Sequence, residues 1–127
     1  MKIVDANIVL RYLLNDVKEL ADKAALIIEN DDVLIPVEII AEIVYVLEKV
    51  YKVGRDDILS SLSGLINYEN IIINEHEVVC SALRNYASIN LDFVDCLLLS
   101  YYTERQYQVD TFDEKLKKQF ERYSRPE

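Results

Sequence analysis

Four carboxylates could form a chemical site in this chain: Asp5, Glu42, Asp95 and Asp113. Asp5, Asp95 and Asp113 are expected where strands pass into helices, and the carboxyl ends of parallel strands line the ligand crevice of an open sheet. Glu42 interrupts an apolar helix that can lean over this edge or expose the carboxylate to solvent. Clustered carboxylates raise one another's pKa unless a cation lies between them. Their hard oxygen atoms suit Mg²⁺ or Mn²⁺.

Helix capping explains some of these acids without any chemistry. Asp5 can be the N-cap of the first helix, and Asp92 fits the N-cap of a later apolar helix, which leaves Asp95 as the better candidate for chemistry. Either Thr111 or Asp113 can cap the last helix. Taken singly, no acid decides between capping and a site; their joint placement favours a site.

Other cofactor chemistries are disfavoured by the composition. His76 is the only histidine, and Cys80 and Cys96 have no metal-ligand spacing, so we do not expect zinc. Both cysteines lie in apolar helical stretches, where we expect them to pack as small hydrophobic side chains. With only two glycines, the chain has neither a dinucleotide fingerprint nor a P-loop, and we expect no nucleotide cofactor.

The net charge of −9 is unusual for a protein that binds nucleic acid. Such proteins generally carry a basic surface that neutralises phosphates. Bound metal could neutralise some of the acids, or the physiological partner could be basic. The charge argues against a sequence-reading DNA-binding module but is compatible with a metal-dependent nuclease.

Length and hydropathy indicate one intracellular domain. The 127 residues suffice for a single core, and we expect one domain over residues 1–124 with a tail at 125–127. No apolar run approaches the length of about 18 residues that a membrane helix needs. Met1 leads directly into the first strand without a basic leader segment. We therefore expect a cytoplasmic protein with no membrane partner.

Short β-branched runs alternate with longer helical patterns. We expect strands at 3–4, 33–35, 71–73 and 108–109. We expect helices at 8–13, 17–29, 36–51, 56–67, 75–88, 93–105 and 113–122. This order is typical of α/β proteins in which helices cover both faces of a parallel sheet.

Several segments, in order, resemble the PIN domain family, and within it the small VapC-like toxin ribonucleases. They are Val4-Asp5-Ala6-Asn7 with Leu10-Arg11-Tyr12-Leu13, Ile35-Pro36 with Glu42-Ile43-Val44-Tyr45-Val46-Leu47, Asp92-Phe93-Val94-Asp95, and Thr111-Phe112-Asp113. The resemblance spans nearly the whole chain. It implies a three-layer α/β/α sandwich with a central parallel sheet of four or five strands. Two departures are Ala6, where many members carry Thr or Ser, and an end too short and polar for a closing strand.

The resemblance also implies a site for Mg²⁺ or Mn²⁺. Its catalytic residues and metal ligands would be Asp5, Glu42, Asp95 and Asp113. Its supporting positions would be Asn7, Thr111 and Asp92. Arg11, on the first helix, would either contact a substrate phosphate or simply lie at the surface. The implied reaction is metal-assisted hydrolysis of RNA phosphodiester bonds.

The leading hypothesis is therefore a metal-dependent endoribonuclease that acts as the toxin of a type II toxin–antitoxin pair. A small antitoxin with a basic or apolar tail would cover the acidic crevice, and a homodimer is expected from the family. One alternative is a housekeeping RNA-processing PIN nuclease without an antitoxin. Another is a catalytically silent binding or scaffold domain. A receiver domain is disfavoured because Asn74, rather than Asp, follows the third strand.

Tyrosines are frequent near the end of the chain. Tyr101, Tyr102 and Tyr107 lie close together in the sequence. Aromatic rings can stack on unpaired bases. They can equally fill a contact between helices or between the copies of a dimer, and we favour this second interpretation.

Overall fold

The computed structural model describes residues 1–123. Its strands are β1 (Lys2–Ile3), β2 (Val33–Leu34) and β3 (Ile71–Ile72). Its helices are α1 (Ala6–Leu14), α2 (Lys18–Asn30), α3 (Val37–Lys49), α4 (Arg55–Ile66), α5 (His76–Ser88), α6 (Phe93–Arg105) and α7 (Glu114–Tyr123). Each expected helix is present, with ends that differ from the expected ones by two residues or fewer.

Contacts divide the chain into two compact units, Met1–His76 and Glu77–Glu127. The first unit holds the sheet, and the second holds most of α5 together with α6 and α7. A single domain over residues 1–124 stays a prediction. The expected tail at 125–127 lies outside the described residues.

The sheet of the first unit is parallel, in the order β1-β2-β3. Lys2 lies opposite Val33, and Val33 lies opposite Ile71. The ladder continues past the strand ends, where the backbone N–H of Ile35 donates to the carbonyl of Ile72 at 3.0 Å. This parallel arrangement confirms the α/β class. The stacking of the whole chain in three layers stays a prediction.

The expected sheet of four or five strands is wrong, because the described residues contain three strands. The predicted fourth strand at 108–109 forms no ladder. Its only β-branched residue is Val109, which is half-buried between the exposed Gln108 and Asp110. A single apolar residue between polar neighbours gives little side-chain packing on which a strand could form.

Helices α1, α2 and α3 pack together in the first unit, and α4 packs on α3. Their inward faces repeat apolar residues at helical spacing, as the sequence indicates. The fully buried aliphatic side chains of this unit include Val9, Ile28, Ile35, Ile40, Ile43, Ile58 and Leu62. Pro36 precedes α3 at its N-cap position, which ends β2 and starts the helix that carries Glu42.

In the second unit, α7 packs on α6 through an edge-to-face pair of rings. The centroids of Tyr102 and Phe120 lie 5.1 Å apart. Cys96 is buried in α6, as expected, whereas Cys80 is only half-buried, and neither forms a disulfide among the described residues. Over residues 1–123, no helix has the length and apolar character required to cross a bilayer.

Candidate active site

Asp5 is the N-cap of α1. Its backbone is extended, and its Oδ1 accepts a hydrogen bond from the backbone N–H of Ile8 at 3.1 Å. Val4, just before it, is buried, whereas the Asp5 side chain is exposed. The capping interpretation therefore holds for one carboxylate oxygen. The other oxygen bonds no described residue and remains available for chemistry.

An open groove with a volume of about 610 Å³ runs past Asp5 in the first unit. Its lining is mostly aliphatic and consists of Lys2, Ile3, Val4, Asp5, Ile8, Ile27 and Ile39. Asn7 is exposed on the first turn of α1, two residues beyond Asp5. The sequence thus places a carboxylate and an amide at the start of one helix, both accessible to a ligand.

Glu42 lies in the middle of α3 on its exposed side, together with Glu38 and Tyr45. The next residue, Ile43, is fully buried, so the helix is amphipathic at this point. Within the described residues, the Glu42 carboxylate makes no hydrogen bond or ion pair. The position fits the solvent-facing alternative, and a role as metal ligand stays a prediction.

Asp92, Asp95 and Asp113 interact in the second unit. Asp92 is the N-cap of α6, and its Oδ1 accepts a hydrogen bond from the backbone N–H of Asp95 at 2.8 Å. Partial burial raises the pKa of the Asp95 carboxyl, and the negative charges of Asp92 and Asp113 raise it further. The ionised form of Asp95 is therefore less favourable than that of an isolated carboxyl group.

Asp113 occupies the N-cap position of α7. Its Oδ1 accepts a hydrogen bond from the backbone N–H of Leu116 at 2.8 Å. Its own backbone N–H donates to Oγ1 of Thr111 at 3.0 Å. Of the two capping candidates, Asp113 is the cap and Thr111 braces the turn before it. Thr111 thereby fixes the backbone that carries the Asp113 carboxylate.

The structure thus describes the expected site residues in two separate groups. Asp5, Asn7, Arg11 and Glu42 belong to the first unit, and Asp92, Asp95, Thr111 and Asp113 to the second. Over residues 1–123, no three His, Cys, Asp or Glu side chains are arranged so that they could hold a metal ion. A joint site of the four carboxylates stays a prediction.

Arg11 is engaged by neighbours in the first unit. Its guanidinium forms an ion pair with Asp16 at 3.1 Å and donates a hydrogen bond to the Tyr51 hydroxyl at 2.8 Å. The Arg11 side chain is only 13% exposed. These contacts link the end of α1 to the segment after α3. They explain much of the guanidinium's bonding without substrate, while its buried Nε has no hydrogen-bond partner among residues 1–123. A phosphate contact stays a prediction.

Two polar networks were not anticipated from the sequence. In the first unit, the Tyr12 hydroxyl lies 2.9 Å from a Glu29 carboxylate oxygen and 3.2 Å from the Tyr68 hydroxyl. Burial and these bonds raise the Tyr12 pKa. In the second unit, Ser100 donates to Ser81 at 3.0 Å. In the sequence, the only indication of the second network is Ser100, a serine within the apolar run of α6.

The chain belongs to the PIN domain family, since the family model described as "PIN domain" matches residues 2–121. This confirms the resemblance found in the sequence. Among curated proteins, the chain is similar to the VapC ribonuclease of Aquifex aeolicus (strain VF5). The two are 27% identical over 101 residues, which cover 76% of this chain and 75% of that protein. No solved structure matches the chain.

Proposed function

We propose that this chain is a Mg²⁺- or Mn²⁺-dependent endoribonuclease and the toxin of a type II toxin–antitoxin pair. Its membership of the PIN domain family and its similarity to a protein named VapC ribonuclease support this proposal. The observation that carries it is geometric: Asp92 and Asp113 are the N-caps of α6 and α7, so acidic side chains lie at the starts of two helices of one unit. The negative charges that raise the Asp95 pKa agree with a site that attracts a cation.

The donor chemistry of these residues fits a hard divalent cation. Carboxylate oxygens are the ligands that Mg²⁺ and Mn²⁺ prefer, and repulsion at Asp95 is the condition that a cation relieves. The proposed ligands are Asp5, Glu42, Asp95 and Asp113. When bound, the metal would lower the pKa of a water molecule and offset negative charge on the phosphate oxygens.

The residues of the chain would orient the substrate and supply a general base. The Asp95 carboxylate can accept a proton from the water that attacks phosphorus in line with the leaving oxygen. His76, the only histidine, is not required. Thr111 steadies the turn that carries Asp113, and the exposed Asn7 amide can donate to the substrate or to a carboxylate. No covalent enzyme intermediate forms.

The charge distribution supports a basic or apolar antitoxin tail as the partner. The first unit contains twice as many acidic as basic residues. It also holds the mostly aliphatic groove beside Asp5. A cationic peptide with apolar side chains complements both features. The proposal places the toxin in the cytoplasm as a homodimer, which light scattering of the purified protein tests.

Growth after induced expression tests the toxin proposal. The Asp5→Asn variant removes the charge but keeps the helix cap, because Asn and Asp cap helices about equally well. We expect the parent to arrest growth and Asp5→Asn to permit it. Asp56→Asn, an exposed acid in the first turn of α4, is the matched control and should arrest growth like the parent. Equal toxicity of Asp5→Asn and the parent would contradict a catalytic role.

Two further measurements separate the proposal from its alternatives. A small protein encoded next to the chain should co-purify with it and suppress its toxicity. A chain that cleaves RNA without any such partner would instead be a housekeeping nuclease. Calorimetry should detect Mn²⁺ binding by the parent, and its absence would favour a catalytically silent scaffold.

A further inference from the structure

Phe112 is the most exposed large apolar side chain among residues 1–123, at 99% of its accessible surface. It lies between Thr111 and Asp113, so an uncovered aromatic ring stands beside a candidate catalytic carboxylate. Exposed apolar surface is unfavourable in water, and binding a ligand recovers that free energy. This position therefore warrants a functional explanation.

The backbone on both sides of Phe112 is anchored. Asp113 donates its N–H to Oγ1 of Thr111 at 3.0 Å and caps α7 through Leu116 at 2.8 Å. Leu116 is fully buried, which ties the start of α7 to the core of its unit. The outward position of the Phe112 ring thus follows from a fixed turn rather than from a loose loop.

A positive charge lies beside the ring. Asp110, Thr111, Phe112 and Lys117 line one cavity of about 360 Å³, within the usual range for small-ligand sites. The Lys117 ammonium lies 3.5 Å from a carboxylate oxygen of Glu114; Glu114 is exposed and Lys117 is half-buried. Exposed ion pairs of this kind are weak. The ammonium is therefore free to exchange Glu114 for a phosphate.

We propose that Phe112 and Lys117 form a nucleotide-binding subsite beside Asp113. The ring stacks on an unpaired base of single-stranded RNA, and the ammonium contacts the backbone phosphate. This inference rests on the proposed ribonuclease function and deepens it. A protein partner could also cover an exposed ring, but the Lys117 ammonium on the same cavity can pair with a phosphate, and the adjacent Asp113 belongs to the proposed catalytic set.

Fluorescence anisotropy with a labelled single-stranded RNA tests the subsite in the Asp5→Asn background, where cleavage is prevented. Phe112→Ala should weaken binding about tenfold, since each base–aromatic stack contributes on this scale. Phe112→Trp should retain binding, whereas Phe112→Leu, which is apolar but not aromatic, should not. Leu26→Ala removes a side chain that is 67% exposed on α2 and is the matched control, expected to bind like the parent.

Salt dependence separates the two contacts. Lys117→Gln should reduce the slope of log affinity against log salt concentration by about one, as for the loss of one phosphate contact. Phe112→Ala should leave the slope unchanged, because stacking releases no counter-ion. Lys115→Gln, on the same helix, is the charge-matched control for Lys117 and should have the smaller effect on the slope.

Several results would overturn the subsite. They are unchanged binding by Phe112→Ala, equal binding by the Leu and Trp variants, and no RNA binding by the Asp5→Asn protein. Equal binding by Leu and Trp would indicate a general apolar contact, as with a protein partner. Failure of the two proposals is distinguishable. If the parent does not cleave RNA but Phe112→Ala lowers RNA affinity and Trp restores it, the subsite stands and the ribonuclease proposal fails.

Discussion

The Asp92 carboxylate accepts a hydrogen bond from the backbone N–H of Asp95 at 2.8 Å, across the first turn of α6. The bond that starts the helix therefore also holds a negative charge near the Asp95 carboxyl, where Asp113 adds a second one. Capping and chemistry are thus compatible at this position. The cap helps create a repulsion that a proton or a cation relieves.

The pH dependence of stability should reveal this repulsion. Because the folded-state pKa of Asp95 lies above its unfolded-state value, the folded chain binds more protons in the interval between the two. Stability should then fall as pH rises through that interval. Relative to the parent, we expect Asp95→Asn to gain stability as pH is raised from about 4 toward neutrality. Urea unfolding of metal-free protein measures the difference, and a difference independent of pH would contradict the assignment.

Replacing Asp113 by Ala or by Asn separates its structural role from its chemical one. Asp113→Ala removes the cap of α7 and should cost about 1 kcal/mol of unfolding free energy, whereas Asp113→Asn keeps the cap and should cost little. Both variants should lose RNA cleavage, because both lose the charge. Thermal unfolding and a cleavage assay supply the two measurements. An active Asp113→Asn variant would remove Asp113 from the catalytic set.

The serine pair should stabilise the second unit as a coupled network. Ser100 is fully buried, donates to Ser81 at 3.0 Å and accepts a hydrogen bond from the Asn85 amide at 3.4 Å. Ser100→Ala removes a hydrogen-bond partner from the Ser81 hydroxyl and from the Asn85 amide. It should lower the free energy of unfolding by about 1–3 kcal/mol. Adding Ser81→Ala should cost less than the sum of the single changes. Strictly additive unfolding free energies would show that the two hydroxyls act independently.

Substitutions at Arg11 and Tyr51 distinguish a structural role of Arg11 from a contact with substrate phosphate. Lys keeps the charge but not the planar fork that contacts Asp16 and Tyr51, so Arg11→Lys should lower stability by about 1 kcal/mol. Tyr51→Phe should produce part of the same loss. RNA affinity should stay at the parent value in both variants. A loss of RNA affinity without a loss of stability would instead identify Arg11 as a phosphate contact.

Periodicity predicts helices such as α3 and α4 well, because each buries apolar residues at helical spacing. The 93–105 helix is predicted at the bounds that the structure gives, from the apolar run at 96–99 together with the cap signal at Asp92. The predicted strand at 108–109 is wrong because Val109 is a single apolar residue between exposed polar neighbours, which gives little packing for a strand. The length of a strand depends on its hydrogen bonds to neighbouring strands, and a single sequence does not reveal this pairing.

The sequence predicts which carboxylates lie at helix starts, but it does not predict the long-range contacts of the side chains around them. The spacing of apolar runs located Asp5 and Asp113 at helix starts, where the structure has them as caps. The Arg11–Tyr51 bond joins residues far apart in the chain, and no local pattern indicates it. Likewise, full exposure of Phe112 follows from the geometry of the turn before α7, whereas its apolar character alone would favour burial.

RNA cleavage by the purified protein tests the central claim most directly. The parent should cleave single-stranded RNA with Mg²⁺ or Mn²⁺, lose activity in a chelator and regain it when metal is restored. Asp5→Asn should be inactive with its helix content unchanged, and Asp56→Asn should be as active as the parent. Cleavage that persists in the chelator, or equally in Asp5→Asn, would contradict a metal-dependent carboxylate site.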